Sequence, residues 1–270
     1  MCSDQSYHEL HTDSTLSRQD SAMLGKVTER RLISLVYPAR CCSCDHLLCD
    51  TSEQKKYIRA DFCQTCVNDF SAPSQGKCRK CGIQQSRQQA TYDCALCRRY
   101  RLELKRGIAL GNYQGLLKQL VLRMKRERDE IMGFQFGCLL GHDLRTHDFN
   151  DIDLITPIPT HWWRHCKTGF HAADSICDGI RQATGIQKKR RLLRYNRPTL
   201  KQGKLTIPQR FANLKGALRI GPGQVKEKTV LVVDDVMTSG ATIGEAAKTL
   251  LAAGAKHVYM AVAARGGRVS

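Results

Sequence analysis

Between Gly179 and Lys226 the chain has no aspartate or glutamate, while it has 13 lysines and arginines. Such a block reads either as a solvated basic face or as a surface for phosphates, on a phosphorylated small molecule or a nucleic-acid backbone, and charge alone does not separate these. Aromatics are scarce in the same block, with Tyr195 and Phe211 alone. Base stacking would be thin, so phosphate contacts would dominate any nucleic-acid binding and make it strongly salt-dependent. Long apolar runs are missing as well. No segment approaches the ~18 to 20 residues of a membrane span, so no membrane insertion is expected. The opening MCSDQSYHELHTDSTLSRQD lacks the basic-then-apolar order of a secretory signal, and the expectation is a cytoplasmic protein. No helix-turn-helix pattern and no nucleobase-recognising segment stand out.

What is present begins with cysteine. The chain of 270 residues, with a formal net charge of +18, contains 14 cysteines. Eight fall into four Cys-x-x-Cys pairs: Cys41/Cys44, Cys63/Cys66, Cys78/Cys81 and Cys94/Cys97. Pairs at that spacing are the unit of a zinc site, and a reducing compartment keeps them as thiolates. Eight thiolates suit two tetrahedral four-cysteine sites with structural zinc. The simplest arrangement joins the first two pairs on one ion and the last two on another. A crossed arrangement stays open, as does a ligand role for Cys42 or Cys49. Redox chemistry is the rival use of Cys-x-x-Cys, and four copies in one core-poor segment, with the knuckle-like CRKCG, argue for metal.

Three regions follow. Residues 1–31 are polar and without apolar period, and read as a poorly ordered tail. Residues 32–100 form a Cys-rich module too poor in aliphatics to build its own core, so metal must organise it. Residues 101–270 read as α/β. RGIALGNY is a strand, and GLLKQLVLRMKRE has apolar residues at helical spacing with a basic polar face. IMGFQFGCLLGHDL is a second helix weakened by its glycines. DIDLITPIP is a buried strand, GFHAADSICDGIRQATG a helix with glycine past its end, TVLVVDD a strand, ATIGEAAKTLLAAGA a helix and HVYMAVAA a strand. Alternation of that kind implies a parallel sheet, with ligands at the carboxyl ends of its strands.

The most informative string is VLVVDDVMTSGATI, Val230 to Ile243. A buried strand runs into Asp234 and Asp235, a short loop follows, and a helix starts near Thr242. A helix N-terminus offers unpaired N–H groups and partial positive charge. Gly240 lets backbone approach an anion, and Thr238, Ser239 and Thr242 add hydroxyls, which together make a phosphate cup. Two carboxylates beside such a cup suit sugar hydroxyls and a divalent cation. A phosphate at one end and vicinal hydroxyls in the middle describe a ribose 5-phosphate.

This string resembles the signature of the type I phosphoribosyltransferases, from Leu231 to Thr242 almost without gaps. The resemblance implies that Asp234 and Asp235 hold the ribose hydroxyls of phosphoribosyl pyrophosphate (PRPP), bound with Mg2+. It implies that Met237, Thr238, Ser239, Gly240, Ala241 and Thr242 form the 5-phosphate loop. In PIPTHWWRHCKTGF, after another strand, His161 and Arg164 are candidates for the pyrophosphate. A mobile basic loop over residues 188–210 would close over PRPP, with Lys201, Lys204 and Arg210 neutralising the leaving group. The rival use of that block is a DNA backbone, with Lys188, Lys189, Arg190 and Arg191 as contacts.

The order of the pieces, from four cysteine pairs through ALGNYQGLLKQLVLRMKRE, PIPTHWWRHCKTGF and RPTLKQGKLTIPQRFANLKGAL to VLVVDDVMTSGAT, resembles the ComF family (ComFC/GntX-like) of phosphoribosyltransferase-like proteins, associated with DNA uptake and natural competence. The likeness runs from about Leu32 to Arg265. It implies PRPP or ribose 5-phosphate as ligand, and single-stranded DNA and competence-machinery proteins as candidate partners. The alternative is a zinc-dependent single-stranded DNA-binding protein on a non-catalytic transferase fold. The chain departs from the family at Gly169, Phe170, His171 and Ala172, where Gly-Phe-Asn-Gln is usual, and at Thr168, where a basic residue is expected.

Overall fold

The computed structural model describes residues 39–48, 61–70, 76–85, 93–147, 149–160 and 169–267. The expected tail, His161 and Arg164 lie outside the described residues. So do Trp162, Trp163, Cys49 and Thr168.

In chain order the helices are α1 (Gln64–Phe70), α2 (Ala95–Arg99), α3 (Gly115–Glu127), α4 (Glu130–Thr146), α5 (Ala172–Thr184), α6 (Ile207–Leu214) and α7 (Ala241–Ala252). The strands are β1 (Arg106–Asn112), β2 (Leu154–Pro157), β3 (Gln187–Lys188), β4 (Leu193–Tyr195), β5 (Leu218–Ile220), β6 (Thr229–Met237) and β7 (His257–Arg265). Five of them form a parallel sheet in the order β1-β7-β6-β2-β3, and β4 and β5 form a small antiparallel pair. No helix among the described residues is long and apolar enough to cross a membrane.

Both faces of the sheet are buried, which is why β6 and β7 read as continuous apolar runs rather than alternating ones. Leu231, Val233, Tyr259 and Ala261 enter a core on one face with α3, α4 and α5. Val230, Val232, Val258, Met260 and Val262 enter a core on the other face, where α7 packs through Ile243, Ala246 and Leu250. Period-two alternation sorts consecutive residues onto opposite sides.

The glycines of α4 prove to be contacts rather than weaknesses. A methyl group on Gly137 would lie 2.1 Å from the carbonyl oxygen of Ile176, and one on Gly179 would lie 2.0 Å from that of Phe134. Only a bare Cα lets α4 and α5 approach so closely. The propensity cost of about 1 kcal/mol per glycine is offset by that packing. The helix is also capped, since the carboxylate of Asp129 accepts the N–H of Met132 at 2.8 Å.

The cysteine region has no core of its own and is divided between the two faces. Cys41, Cys66, Phe62 and Phe70 belong to the first core, where Phe62 stacks on Phe136 of α4 at 5.7 Å. Cys78, Cys81, Cys94 and Cys97 belong to the second, with Leu102, Met237 and Ile243.

Candidate functional site

Strand order places the site. β2 leads through α5 to β3 on one side of the sheet, and β6 leads through α7 to β7 on the other. The neighbours β2 and β6 therefore send their following helices to opposite faces, and a crevice opens between their carboxyl ends. Open α/β sheets bind ligands at such a reversal.

Asp234 and Asp235 lie at this end of β6, both half-buried. The strand does not stop at them as the sequence suggested. It continues because Val236 and Met237 pair with Ala264 and Arg265 of β7. The loop is thus reduced to Thr238–Gly240. Helix α7 begins at Ala241 with Gly240 as its N-cap, in the left-handed region at φ 79°. Glycine takes that conformation without strain.

The carboxylates are inequivalent. Asp234 accepts the N–H of Asp235 at 2.9 Å. Burial, and then the charge of Asp235, push the carboxyl of Asp234 up to about 7. Asp235 faces a cation that sequence reasoning missed: Nζ of Lys125, on α3, is 2.8 Å from its Oδ2. Burial opposes the charge on Lys125, but Asp235 outweighs it and the ammonium's pKa is raised. Lys125 reads in sequence as one more residue of a basic helix face. Only the docking of α3 on the sheet brings it to the acids.

The loop residues divide by role. Ser239 is buried, and its Oγ accepts the N–H of Ala241 at 3.3 Å, so its hydroxyl is turned inward. Met237 and Ala241 put their side chains into the core, leaving backbone alone for a ligand. Thr238 is exposed, and Nη1 of Arg210 donates to its Oγ1 at 3.1 Å. Nε2 of Gln202 donates to Oγ1 of Thr242 at 3.1 Å. The basic segment is therefore docked on the loop here, through a 3-10 turn at Gln202–Lys204 and α6, whose N-terminus has a capping box between Thr206 and Gln209. Lys201 and Lys204 flank Gln202 and are exposed.

Of the basic run that follows Gln187, Lys188 is enclosed. Its Nζ lies 2.9 Å from Asp174 and 2.7 Å from Asp178, and Arg190 reaches Asp174 at 2.6 Å. These acids precede the acid-free block in sequence and fold back onto it. Lys189 and Arg191 are exposed. His171, at the departure from the family pattern, has a structural task. Its Nε2 donates to the carbonyl of Ile158 at 2.9 Å, tying the start of α5 to the end of β2.

The eight paired cysteines gather as Cys41, Cys44, Cys63, Cys66 and as Cys78, Cys81, Cys94, Cys97, each set with its sulfurs within 4.8 Å of one another. Sulfur pairs stand at 3.7 Å (Cys44–Cys63), 3.9 Å (Cys78–Cys97) and 3.7 Å (Cys81–Cys94). A disulfide needs about 2 Å. A zinc ion with four bonds of about 2.3 Å needs sulfur edges of about 3.8 Å, so the residues fit the metal. Backbone N–H groups also point at the sulfurs, from Ser43 and Cys63 to Cys41 and from Cys94 to Cys78. Burial alone would raise the Cys41 thiol, but these N–H groups outweigh it and bring it down to about 7.

A groove of about 740 Å3 runs between the second cysteine group and α7. Tyr100 and Phe211 stack there with centroids 3.9 Å apart, flanked by Arg99, Arg101, Lys215 and Lys248.

Comparison with known proteins agrees with this geometry. Residues 191–268 match the model of the Phosphoribosyl transferase domain. The chain is similar to DNA utilization protein YhgH of Escherichia coli, with 29% identity over 187 residues, covering 68% of this chain and 81% of that protein. It is similar to Competence protein F of Haemophilus influenzae, with 24% identity over 189 residues, covering 68% and 82%. Among solved structures, the glutamine PRPP amidotransferase from B. subtilis aligns at 23% identity over 49% of this chain and 26% of that one, with a TM-score of 0.33. That superposition is too loose to bear on the site. The parallel sheet with helices on both faces and the domain match establish a phosphoribosyltransferase-like fold.

Proposed function

From a chain homologous to DNA utilization and competence F proteins and carrying a phosphoribosyl transferase domain, we propose that the end of β6 binds Mg·PRPP or ribose 5-phosphate in the service of DNA uptake or processing. Backbone N–H groups from Thr238 to Thr242 take the 5-phosphate. Asp234 and Asp235 accept the ribose hydroxyls or hold the Mg2+ that accompanies them. Arg210, with Lys201 and Lys204, faces the pyrophosphate end. If the phosphoribosyl group is transferred, the acceptor's lone pair forms a bond at C1 while the C1–oxygen bond breaks and its electron pair leaves with pyrophosphate. The two cysteine groups take structural zinc.

One observation carries this reading: two inequivalent carboxylates and a glycine-capped helix N-terminus meet at the sheet's reversal, with the cations Lys125 and Arg210 already on them. Calorimetric titration of PRPP, with and without Mg2+, tests it on the wild type and on the Asp234→Ala/Asp235→Ala variant. Binding in the wild type that the variant loses is expected. No binding in the wild type would sink the reading. Its pH dependence is a second check. Asp234 must be ionised to hold a cation or accept from a hydroxyl, so affinity rises from about pH 6 to about pH 8, on either side of its raised pKa of about 7.

The groove at Tyr100 and Phe211 favours a second reading, contact with single-stranded DNA, because it combines aromatic faces with four cations. Arg99→Ala/Lys248→Ala should weaken binding of a labelled oligonucleotide and flatten its salt dependence, while leaving PRPP binding alone. Unchanged oligonucleotide affinity would remove this reading.

A further inference from the structure

Arg265, the last residue of β7, is 2% exposed and is among the largest fully buried side chains. A buried guanidinium needs counter-charge, because desolvation costs several kcal/mol per ion. Among the described residues no carboxylate pairs with it. Its partners lie in two directions. Toward the second cysteine group, Nε donates to the carbonyl of Cys81 at 3.0 Å, and Nη2 lies 3.8 Å from the Cys81 sulfur. Toward the candidate phosphate loop, Nη1 donates to the carbonyl of Met237 at 2.8 Å and to those of Thr238 and Gly266.

Four thiolates around one divalent cation would carry net negative charge, and the Cys81 sulfur that Nη2 approaches belongs to that set. Apolar packing runs the same way. A methyl group on Gly240 would lie 3.1 Å from Leu102, which follows Cys97, and one on Gly244 would lie 2.7 Å from it. Among the described residues the first cysteine group has no comparable route. Its polar links run to Arg123 of α3, which donates to the Cys42 carbonyl, and to Gln135 of α4 through Asp61.

We propose that Arg265 is a positioning residue that couples the second four-cysteine metal cluster to the Thr238–Gly240 loop. The cluster's charge holds the guanidinium, and the guanidinium holds the carbonyls of Met237 and Thr238, which aims the loop's N–H groups outward. Its consequence for a ligand rests on the phosphate reading above. The coupling between cluster and loop does not.

The test uses the full-length chain as wild type, Arg265→Leu, Arg265→Lys and Cys44→Ser. Zinc release to a chromogenic chelator and amide hydrogen exchange of peptides covering 238–241 are read side by side, followed by ribose 5-phosphate titration. In Arg265→Leu, one of two zinc ions should leave faster and loop exchange should rise, each by about tenfold or more. Arg265→Lys keeps the charge without the fork, so zinc release stays near wild type while loop exchange still rises. Cys44→Ser should disturb the first cluster and leave loop exchange unchanged. The proposal is overturned if Arg265→Lys exchanges like wild type, if Cys44→Ser loosens the loop as much as Arg265→Leu, or if the second group binds no zinc. Arg265→Lys decides the case in which Arg265→Leu does not fold. Ribose 5-phosphate that fails to bind wild type removes the phosphate reading, while exchange and zinc release still judge the coupling.

Discussion

The two cysteine groups have the same ligand spacing and opposite surroundings. In the first, Cys44 is exposed and Cys63 half-buried, and the group sits at the edge of a core made by Phe62, Phe70 and Phe136. In the second, all four cysteines are buried, a buried arginine touches one of them, and the candidate phosphate loop packs against the same core through Met237. One motif thus serves two ends. The first group anchors a loop segment onto α3 and α4, and the second is part of the floor beneath the candidate site. Sulfurs 3.7–3.9 Å apart occur in both, so ligand geometry does not distinguish them. Burial and counter-charge do.

Stripping one ligand from each group is the strongest way to break the comparison. Cys81→Ser removes the ligand sulfur that Arg265 approaches, and with it half of the net charge that a four-thiolate zinc cluster would set against the guanidinium, and is expected to cost about 3–5 kcal/mol. Cys44→Ser, at an exposed position, should cost markedly less. Urea unfolding followed by circular dichroism measures both, and equal losses would erase the distinction between the groups.

The two faces differ in how their helices are held, and Gly137→Ala sharpens that difference. Its methyl group has no room against Ile176, so α4 and α5 must separate, at about 1–3 kcal/mol. Thermal unfolding should show the loss with no change in zinc content.

Asp234→Asn addresses the site between the faces. The folded chain keeps a proton on Asp234 up to about 7, whereas the unfolded chain releases it near the ordinary 3.8. Stability therefore falls as pH rises between those values. The amide removes the penalty, and at about pH 8 the variant should be more stable by at least about 1 kcal/mol, the worth of one pK unit. Urea midpoints on either side of that range check this: the variant's advantage should be larger at the higher pH. The same variant should bind Mg·PRPP more weakly.

The smallest effect is expected from Lys125→Met. Its ion pair with Asp235 is partly exposed, so the stability loss should stay within about 1 kcal/mol. Its mark should be electrostatic, with the Mg2+ dependence of PRPP binding shifted to lower concentration, as measured calorimetrically.

The site was legible in sequence where its groups are neighbours. Asp234 to Thr242 form one string, and local chemistry alone suggests a strand followed by a glycine turn and a helix start, although the strand runs on past the aspartates to Met237. The α3 helix was equally plain, because its apolar spacing matches the observed Gly115–Glu127. Long-range groups were not legible. Lys125 is 110 residues from Asp235 in sequence and lies within one hydrogen bond of it in space. Arg265 reads as the basic end of an apolar strand, with no sign of its burial. The glycines of α4 read as defects until α5 is placed beside them. The acid-free block looked like an open cationic surface, yet Asp174 and Asp178 fold onto Lys188 and Arg190.

Sequence by itself determined the parallel α/β order, the eight paired cysteines, and the aspartate pair followed by a glycine-containing loop and a helix, because each depends on period, spacing or backbone freedom within a few residues. Tertiary structure alone decided which face of the sheet each cysteine group occupies, which lysine meets Asp235, and which groups surround Arg265. Those outcomes depend on charges and surfaces far apart in the chain, and close packing brings them together only once the sheet has formed.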